Sequence, residues 1–454
     1  MSDTRVKVNT PVRAAGRFVW RHPRSVAASV AIGTATCYVG YVAMLIGAGA
    51  LVVAGGSWRL LDGPTFDRFA GRLLRAWWRR WAVYRRRWFA LAYRVGLVVT
   101  DHRGRERVPV VERISSSWCW DHVRLRIVDT QAPEDYEAVI GRIANAYGAL
   151  RGSVRVLGPS KLSLDLQRRE PFHDMHVPVP ALSDHAAGVD LARLTLGRDE
   201  YGRDFALNLS ATHVLVGGAT GAGKGSVLWG LLRSLAAMIR AGWARVWVID
   251  PKGGMEFSAG AGMFHRFATS DEEGVELLAE YTDVLDSRKA ELGAAGLRSF
   301  TPSVETPLEL LVIDELAAMT EYADRPIQKE FEPMLGKALT QYRAPGGRVV
   351  GAVQEPTKDT VPMRGLFPTK LAMRLDSESY VDMCLGEGMR DRGALADQIP
   401  EFLPGVGYCK VDGRREPVRF RAGYSTDHDI ADLVSFCTSG PGSEVVNLRA
   451  TGAA

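Results

Sequence analysis

The chain has 454 residues, 46% apolar and 24% charged, which excludes a disordered tail and suits about three domains at roughly 150 residues each. Five cysteines with no C-x-x-C pair exclude a disulfide scaffold and a zinc site. The net charge of +5 averages two unlike parts: residues 1–100 hold 16 Lys and Arg against 3 Asp and Glu, a net of +13, and residues 101–454 hold 41 against 49, a net of −8.

The basic head comes first. Residues 1–24 carry Arg5, Lys7, Arg13, Arg17, Arg21 and Arg24, and the 34 residues from Ser25 to Trp58 carry no charge at all. An apolar run longer than about 18 residues predicts a membrane-spanning segment. A buried core helix would be shorter and polar on one face, and the basic flank that continues beyond the run disfavours a cleaved signal peptide. Basic residues on both flanks favour two crossings with both ends cytoplasmic, turning near Tyr38-Val39-Gly40-Tyr41; one long tilted helix is the alternative. Residues 59–104 follow as an Arg/Trp-rich juxtamembrane helix, in which 72–94 interleave arginine with Trp77, Trp78, Trp81, Tyr84, Trp88, Phe89 and Tyr93. Such a mixture can stack on nucleic acid, but beside a membrane segment it favours a helix lying on anionic headgroups.

Residues 105–170 predict a small α+β module: a strand at 123–128, a helix over 134–150 opened by Pro133, and a hairpin of 153–158 with 161–166. Residues 171–192, with Pro171, Pro178 and Pro180, predict a linker. From 193 to 425 strands (212–218, 245–250, 308–314, 348–354, 370–375) alternate with helices (224–240, 272–292, 327–342). Apolar strands alternating with helices predict an α/β domain with a mostly parallel sheet covered on both faces. Residues 426–454 read as a C-terminal tail.

Gly218-Ala219-Thr220-Gly221-Ala222-Gly223-Lys224 fits G-x-x-x-x-G-K, with a strand entering and a helix leaving. In such a loop the backbone N–H groups curl around phosphates, the helix N-terminus adds positive potential, and the lysine reaches the β- and γ-phosphates of ATP. The residue after the lysine should be Ser or Thr, to ligate Mg²⁺; here it is Gly225, with Ser226 next. Either Ser226 or Thr220 substitutes, or water and carboxylates hold the metal. Farther on, Leu310-Leu311-Val312-Ile313 ends in Asp314 and Glu315. Asp314 is placed to hold Mg²⁺ and Glu315 to polarise the attacking water; an Asp before a helix is otherwise a common cap. Asp250-Pro251-Lys252 and Gln354 end two more strands at the carboxyl edge, where Gln354 is placed to hydrogen-bond the γ-phosphate or the attacking water.

Taken together, LTLGRDEYGRDFALNLSATHVLVGGATGAGKGS (194–226), VIDPKGGMEFS (248–258), LLVIDELAAM (310–319), GAVQEP (351–356), LFPTKLAMRLDSESY (366–380) and LPGVGYCKVDG (403–413) resemble the FtsK/SpoIIIE family of DNA-pumping ATPases. The Gly-then-Ser ending, the short chain and the basic membrane segment are similar to its actinobacterial conjugative-element branch. The resemblance implies a RecA-like P-loop NTPase, anchored in the cell membrane with its ATPase domain cytoplasmic. It implies a homo-hexamer around double-stranded DNA that works with ATP and Mg²⁺ during conjugation, with protein secretion or chromosome segregation at division as the alternatives. It also implies an arginine supplied by a neighbouring subunit, for which Arg343 and Arg374 are the candidates. A winged-helix DNA reader is not evident, so an accessory DNA-recognition protein is expected. Because the body is net negative, DNA contacts would fall to a few basic residues, with Arg343, Arg348, Arg414, Arg415, Arg419 and Arg421 as candidates.

Overall fold

A computed structural model describes residues 33–34, 40–101, 104–173, 175, 177–411 and 416–439. The chain divides into two compact units, Met1–Arg126 and Ile127–Ala454. The basic terminus 1–24, the expected turn residues Tyr38 and Val39, the arginines 414 and 415, and residues 440–454 lie outside the described part.

In the first unit, helix α1 (Tyr41–Leu61) is 21 residues long and none of its residues is buried. At 1.5 Å per residue it is about 30 Å long, the thickness of a bilayer's hydrocarbon core, and it is apolar enough to cross one. The Arg/aromatic stretch is helical, with α2 (Arg72–Arg79) and α3 (Arg86–Arg94) flanking a π-helical segment at Arg80–Arg85. One face of it is not at a lipid surface. Tyr84 and Trp88 are buried, and the Trp88 indole N–H donates to the Pro109 carbonyl at 2.7 Å. After a small ribbon of β1 (Val99–Thr100) and β2 (Glu106–Arg107), strands β3 (Val110–Ser116) and β4 (Trp120–Arg126) form an antiparallel hairpin. Its Asp121 is fully buried and accepts hydrogen bonds from Arg79, Tyr84 and Ser116. The headgroup reading therefore fits only the other face, where Trp77, Trp78, Phe89 and Tyr93 are exposed.

In the second unit the predicted helix over 134–150 is two short pieces, α4 (Pro133–Glu137) and α5 (Ile140–Ala146), beside the hairpin of β5 (Arg151–Gly158) and β6 (Lys161–Gln167). The linker is anchored at its start. Phe172 is fully buried, and Glu170 takes both guanidinium nitrogens of Arg419 at 2.8 and 3.1 Å.

A ten-stranded sheet follows. Its strands are β7 (Leu194–Asp199), β8 (Asp204–Leu207), β9 (Val214–Gly217), β10 (Ala244–Ile249), β11 (Arg266–Ala268), β12 (Leu308–Ile313), β13 (Gly347–Val353), β14 (Thr369–Met373), β15 (Val406–Lys410) and β16 (Val418–Ala422). The spatial order is β11-β10-β12-β13-β9-β14-β15-β16-β7-β8. The six strands from β11 to β14 pair in parallel, and β15, β16, β7 and β8 add an antiparallel extension. The sheet is thus mixed, with the parallel part at the motifs.

In β12, Leu308, Leu310 and Val312 enter one hydrophobic layer while Leu311 and Ile313 enter the other. That is why the strand reads as an unbroken apolar run rather than an alternating one. Helices α6 (Lys224–Ser234) and α7 (Ala236–Arg240) cover the first face; α8 (Asp271–Ala294) and α9 (Arg325–Gln341) cover the second. After α10 (Glu378–Leu385), α11 (Asp427–Thr438) is the last helix among the described residues. Part of the segment read as a tail is therefore a capped helix that sends Leu433 and Phe436 into the core.

Candidate active site

Five parallel strands end at one edge of the sheet, and each delivers polar residues there. Beyond β9 comes the loop from Gly218, beyond β10 Asp250, beyond β12 Asp314 and Glu315, beyond β13 Gln354, and beyond β14 Arg374. Topology alone gathers residues more than a hundred positions apart at the carboxyl edge, where open α/β sheets bind ligands.

The loop is held at both ends. Gly218 N–H donates to the Val353 carbonyl at 3.0 Å and Ala219 N–H to the Arg374 carbonyl at 2.8 Å, which ties its first turn to β13 and β14. Gly223 has φ 96°, and a Cβ there would stand 2.4 Å from the Gly405 nitrogen, so only glycine fits. The chain then enters α6, whose first N–H groups carry positive potential. Lys224 Nζ donates to the Gly218 carbonyl at 2.6 Å; burial lowers its pKa, against the pull of Glu315 and Asp314.

Glu315 is almost fully buried and held at both oxygens. Oε1 accepts the Gln354 N–H at 3.1 Å, and Oε2 pairs with Lys252 Nζ at 3.2 Å. The Gln354 side-chain oxygen accepts from Thr220 Oγ1 at 3.1 Å. A polar line therefore runs Thr220–Gln354–Glu315–Lys252 across the strand ends. The sequence placed Lys252 at this edge, but nothing local in it identifies Glu315 as its partner.

The remaining acids crowd. Asp314 is pushed up to about 6, first by burial and then by the carboxylates of Asp250 and Glu256. Asp250 is fully buried; its Oδ2 accepts the N–H groups of Glu256 and Phe257 at 2.9 and 3.1 Å. Its Oδ1 is buried with no hydrogen-bond partner among the described residues. Oxygen donors in excess of cations fit a divalent ion of the Mg²⁺ kind. Among the described residues no three acids or imidazoles converge closely enough to hold one unaided, so phosphate oxygens and water would complete its shell. Ser226, the candidate hydroxyl, sits one residue past Gly225, about 100° farther round the helix. The space at Gly225 itself belongs to Glu256: a Cβ there would lie 2.2 Å from Glu256 Oε1.

The two candidate arginines part company. Arg374 donates to the Thr220 carbonyl of its own loop at 2.9 Å, so it lines the site of its own chain. Arg343 is exposed and precedes β13, at the opposite edge of the sheet. Two of the suggested DNA contacts are buried and a third is half-buried. Arg348 is buried and donates to the Leu209 and Arg343 carbonyls, each at 2.8 Å. Arg419 is buried on Glu170, and Arg421 donates to the Phe172 carbonyl. Strand position decided these fates, which a list of basic residues does not reveal.

Residues 171–328 match the FtsK/SpoIIIE family. The chain is 24% identical over 272 residues to the DNA translocase FtsK of Listeria monocytogenes, covering 54% of this chain and 34% of that protein. It is 26% identical over 322 residues to the DNA translocase FtsK of Mycobacterium tuberculosis, covering 64% and 37%. It spans about a third of the length of these curated relatives. The structure of the pCW3 conjugation coupling protein TcpA, in its monomer form with ATPγS, has the same fold, with a TM-score of 0.51 at 17% identity, covering 76% of this chain and 97% of that one. The loop with its paired acids and the shared fold make this a P-loop ATPase domain, similar over residues 171–328 to the FtsK/SpoIIIE family.

Proposed function

We propose that the chain is a membrane-anchored, ATP-driven translocase of double-stranded DNA, working at the cell membrane as a homo-hexamer in conjugation. The observation that carries this reading is the polar line from Thr220 through Gln354 to Glu315, which sets a buried carboxylate beside a loop shaped for phosphates. The similarity to DNA translocases supports the substrate, and the exposed apolar helix α1 supports the anchor.

In this reading Lys224 leaves the Gly218 carbonyl and binds the β- and γ-phosphates, whose charge draws it out. Glu315 accepts a proton from the attacking water, while the Gln354 N–H holds its other oxygen in place. Arg374 stays with the nucleotide of its own chain, which leaves Arg343 as the arginine offered to a neighbour. Asp314 and Asp250 would face Mg²⁺, which when bound neutralises charge building on the phosphates.

The test is the ATPase rate of the full chain in detergent or nanodiscs against DNA of different type and length. Stimulation by duplex DNA that grows with its length is expected. No stimulation by either duplex or single-stranded DNA overturns the DNA reading and turns attention to protein export.

A further inference from the structure

Phosphate loops ordinarily follow their lysine with Ser or Thr, whose hydroxyl ligates the cation. This chain has Gly225, and the volume of the missing side chain is filled. A Cβ on residue 225 would stand 2.2 Å from Glu256 Oε1 and 3.4 Å from Oε2, so a side chain at 225 would make this carboxylate swing out of the place it occupies beside the loop. Glycine at this position is therefore not a vacancy.

We propose that Glu256 supplies the oxygen that replaces the absent hydroxyl beside the nucleotide-bound divalent cation, and that Gly225 is glycine to admit it. This rests on the ATPase reading above.

Glu256 is fixed at both ends. Its own N–H is held by Asp250 Oδ2 at 2.9 Å. Its Oε1 accepts from Trp229 Nε1 at 3.2 Å, and that indole is itself buried, 5.0 Å from the Phe257 ring between centroids. Trp229 lies one helical turn after Gly225, on the same side of α6, so the helix that presents the gap also orients the acid that fills it. Glu256 is exposed to solvent. The fully buried Asp250, with its unpartnered Oδ1, stands behind it.

A carboxylate in place of a hydroxyl changes the electrostatics as well as the ligand. It attracts a cation more strongly, and without one it repels the phosphates. Nucleotide binding should accordingly depend on the cation more steeply than a neutral hydroxyl would make it. A purely structural Glu256 makes no such demand.

The full chain in nanodiscs is titrated with a fluorescent non-hydrolysable ATP analogue, in Mg²⁺ and in EDTA. The wild type should bind more tightly in Mg²⁺. Glu256→Gln keeps an acceptor for Trp229 and removes the charge; it should weaken binding in Mg²⁺ by ~10-fold or more, the scale of a lost metal contact, and leave or tighten binding in EDTA. Glu256→Ala should weaken Mg²⁺ binding likewise, and adding Gly225→Ser to it should recover most of the loss by restoring the hydroxyl. If Glu256→Gln keeps the wild-type ratio between the two conditions, or the double variant binds no better than Glu256→Ala, the inference is wrong and the ATPase reading stands. A wild type that binds in neither condition sinks the ATPase reading itself.

Discussion

The two edges of the ten-stranded sheet treat charge in opposite ways. At the amino edge Glu309 is fully buried and satisfied: it accepts from Arg288 at 2.7 Å and from the Trp247 indole at 2.8 Å. Arg288 also donates to the Pro307 carbonyl at 2.6 Å, and Arg348, equally buried, has backbone carbonyls of its own. At the carboxyl edge, Asp250 keeps a buried oxygen without a partner, Asp314 is forced up to about 6, and Lys224 turns back on its loop. A buried charge left incomplete costs several kcal/mol. Its concentration at one edge marks where a ligand finishes the structure, while the paired charges at the other edge hold the sheet together.

That contrast is most sharply tested by Glu315→Gln. Removing the base while keeping its shape and its hydrogen bond from Gln354 should lower ATP turnover by ~10²–10⁴-fold, with ATP affinity changed only a few-fold. Full hydrolysis by this variant would show that Glu315 is not the base.

The matching cut at the amino edge is Arg288→Ala. It strands Glu309 as a buried charge beside a partly exposed Arg245, 3.7 Å away, and should cost about 3–5 kcal/mol in urea unfolding. The protein that remains folded should bind ATP as before. Loss of ATP affinity at unchanged stability would erase the distinction between the edges.

Acid should reach the amino edge through His213. Its Nδ1 accepts the Val349 N–H at 3.0 Å, and burial, followed by the charge on Arg348, lowers its pKa from 6.5 to about 3. Above 6.5 neither the folded nor the unfolded chain protonates this ring. Between 6.5 and 3 only the unfolded chain takes the proton, so stability falls as pH falls, by at most about 1.4 kcal/mol per pH unit. Replacing His213 with Gln should flatten the acid limb of the stability profile. An unchanged acid limb in that variant would mean that other groups set it.

How legible each edge was follows the same divide. The phosphate loop and Asp314-Glu315 could be read because each is a short run at the end of a strand, and parallel pairing in register brings such ends together. Glu256 was not legible as the occupant of the Gly225 gap, since the two residues meet only when the turn after β10 folds over the start of α6. Arg348 and Arg419 read as surface cations and proved internal, because Leu209 and Glu170 approach them from other parts of the chain. The strands β7 with β8 and β15 with β16 are local hairpins, but they join the sheet through the distant pairing of β16 with β7, and α11 packs from beyond them, so no local pattern announced their place in the sheet.

The smallest effect should come from Gln354→Ala, and its smallness is informative. Alanine keeps the backbone N–H that holds Glu315 and removes only the side-chain oxygen that Thr220 bonds at 3.1 Å. One such bond between partly exposed groups contributes about 0.5–1.5 kcal/mol, so turnover should fall by roughly two- to tenfold, with the midpoint of urea unfolding nearly unchanged. If the variant is as inactive as Glu315→Gln, Gln354 itself handles the attacking water, and the base would be a pair rather than one carboxylate. If it loses stability instead, the Thr220–Gln354 link belongs with the structural bonds of the amino edge, and the separation between the two edges is less complete than their charges suggest.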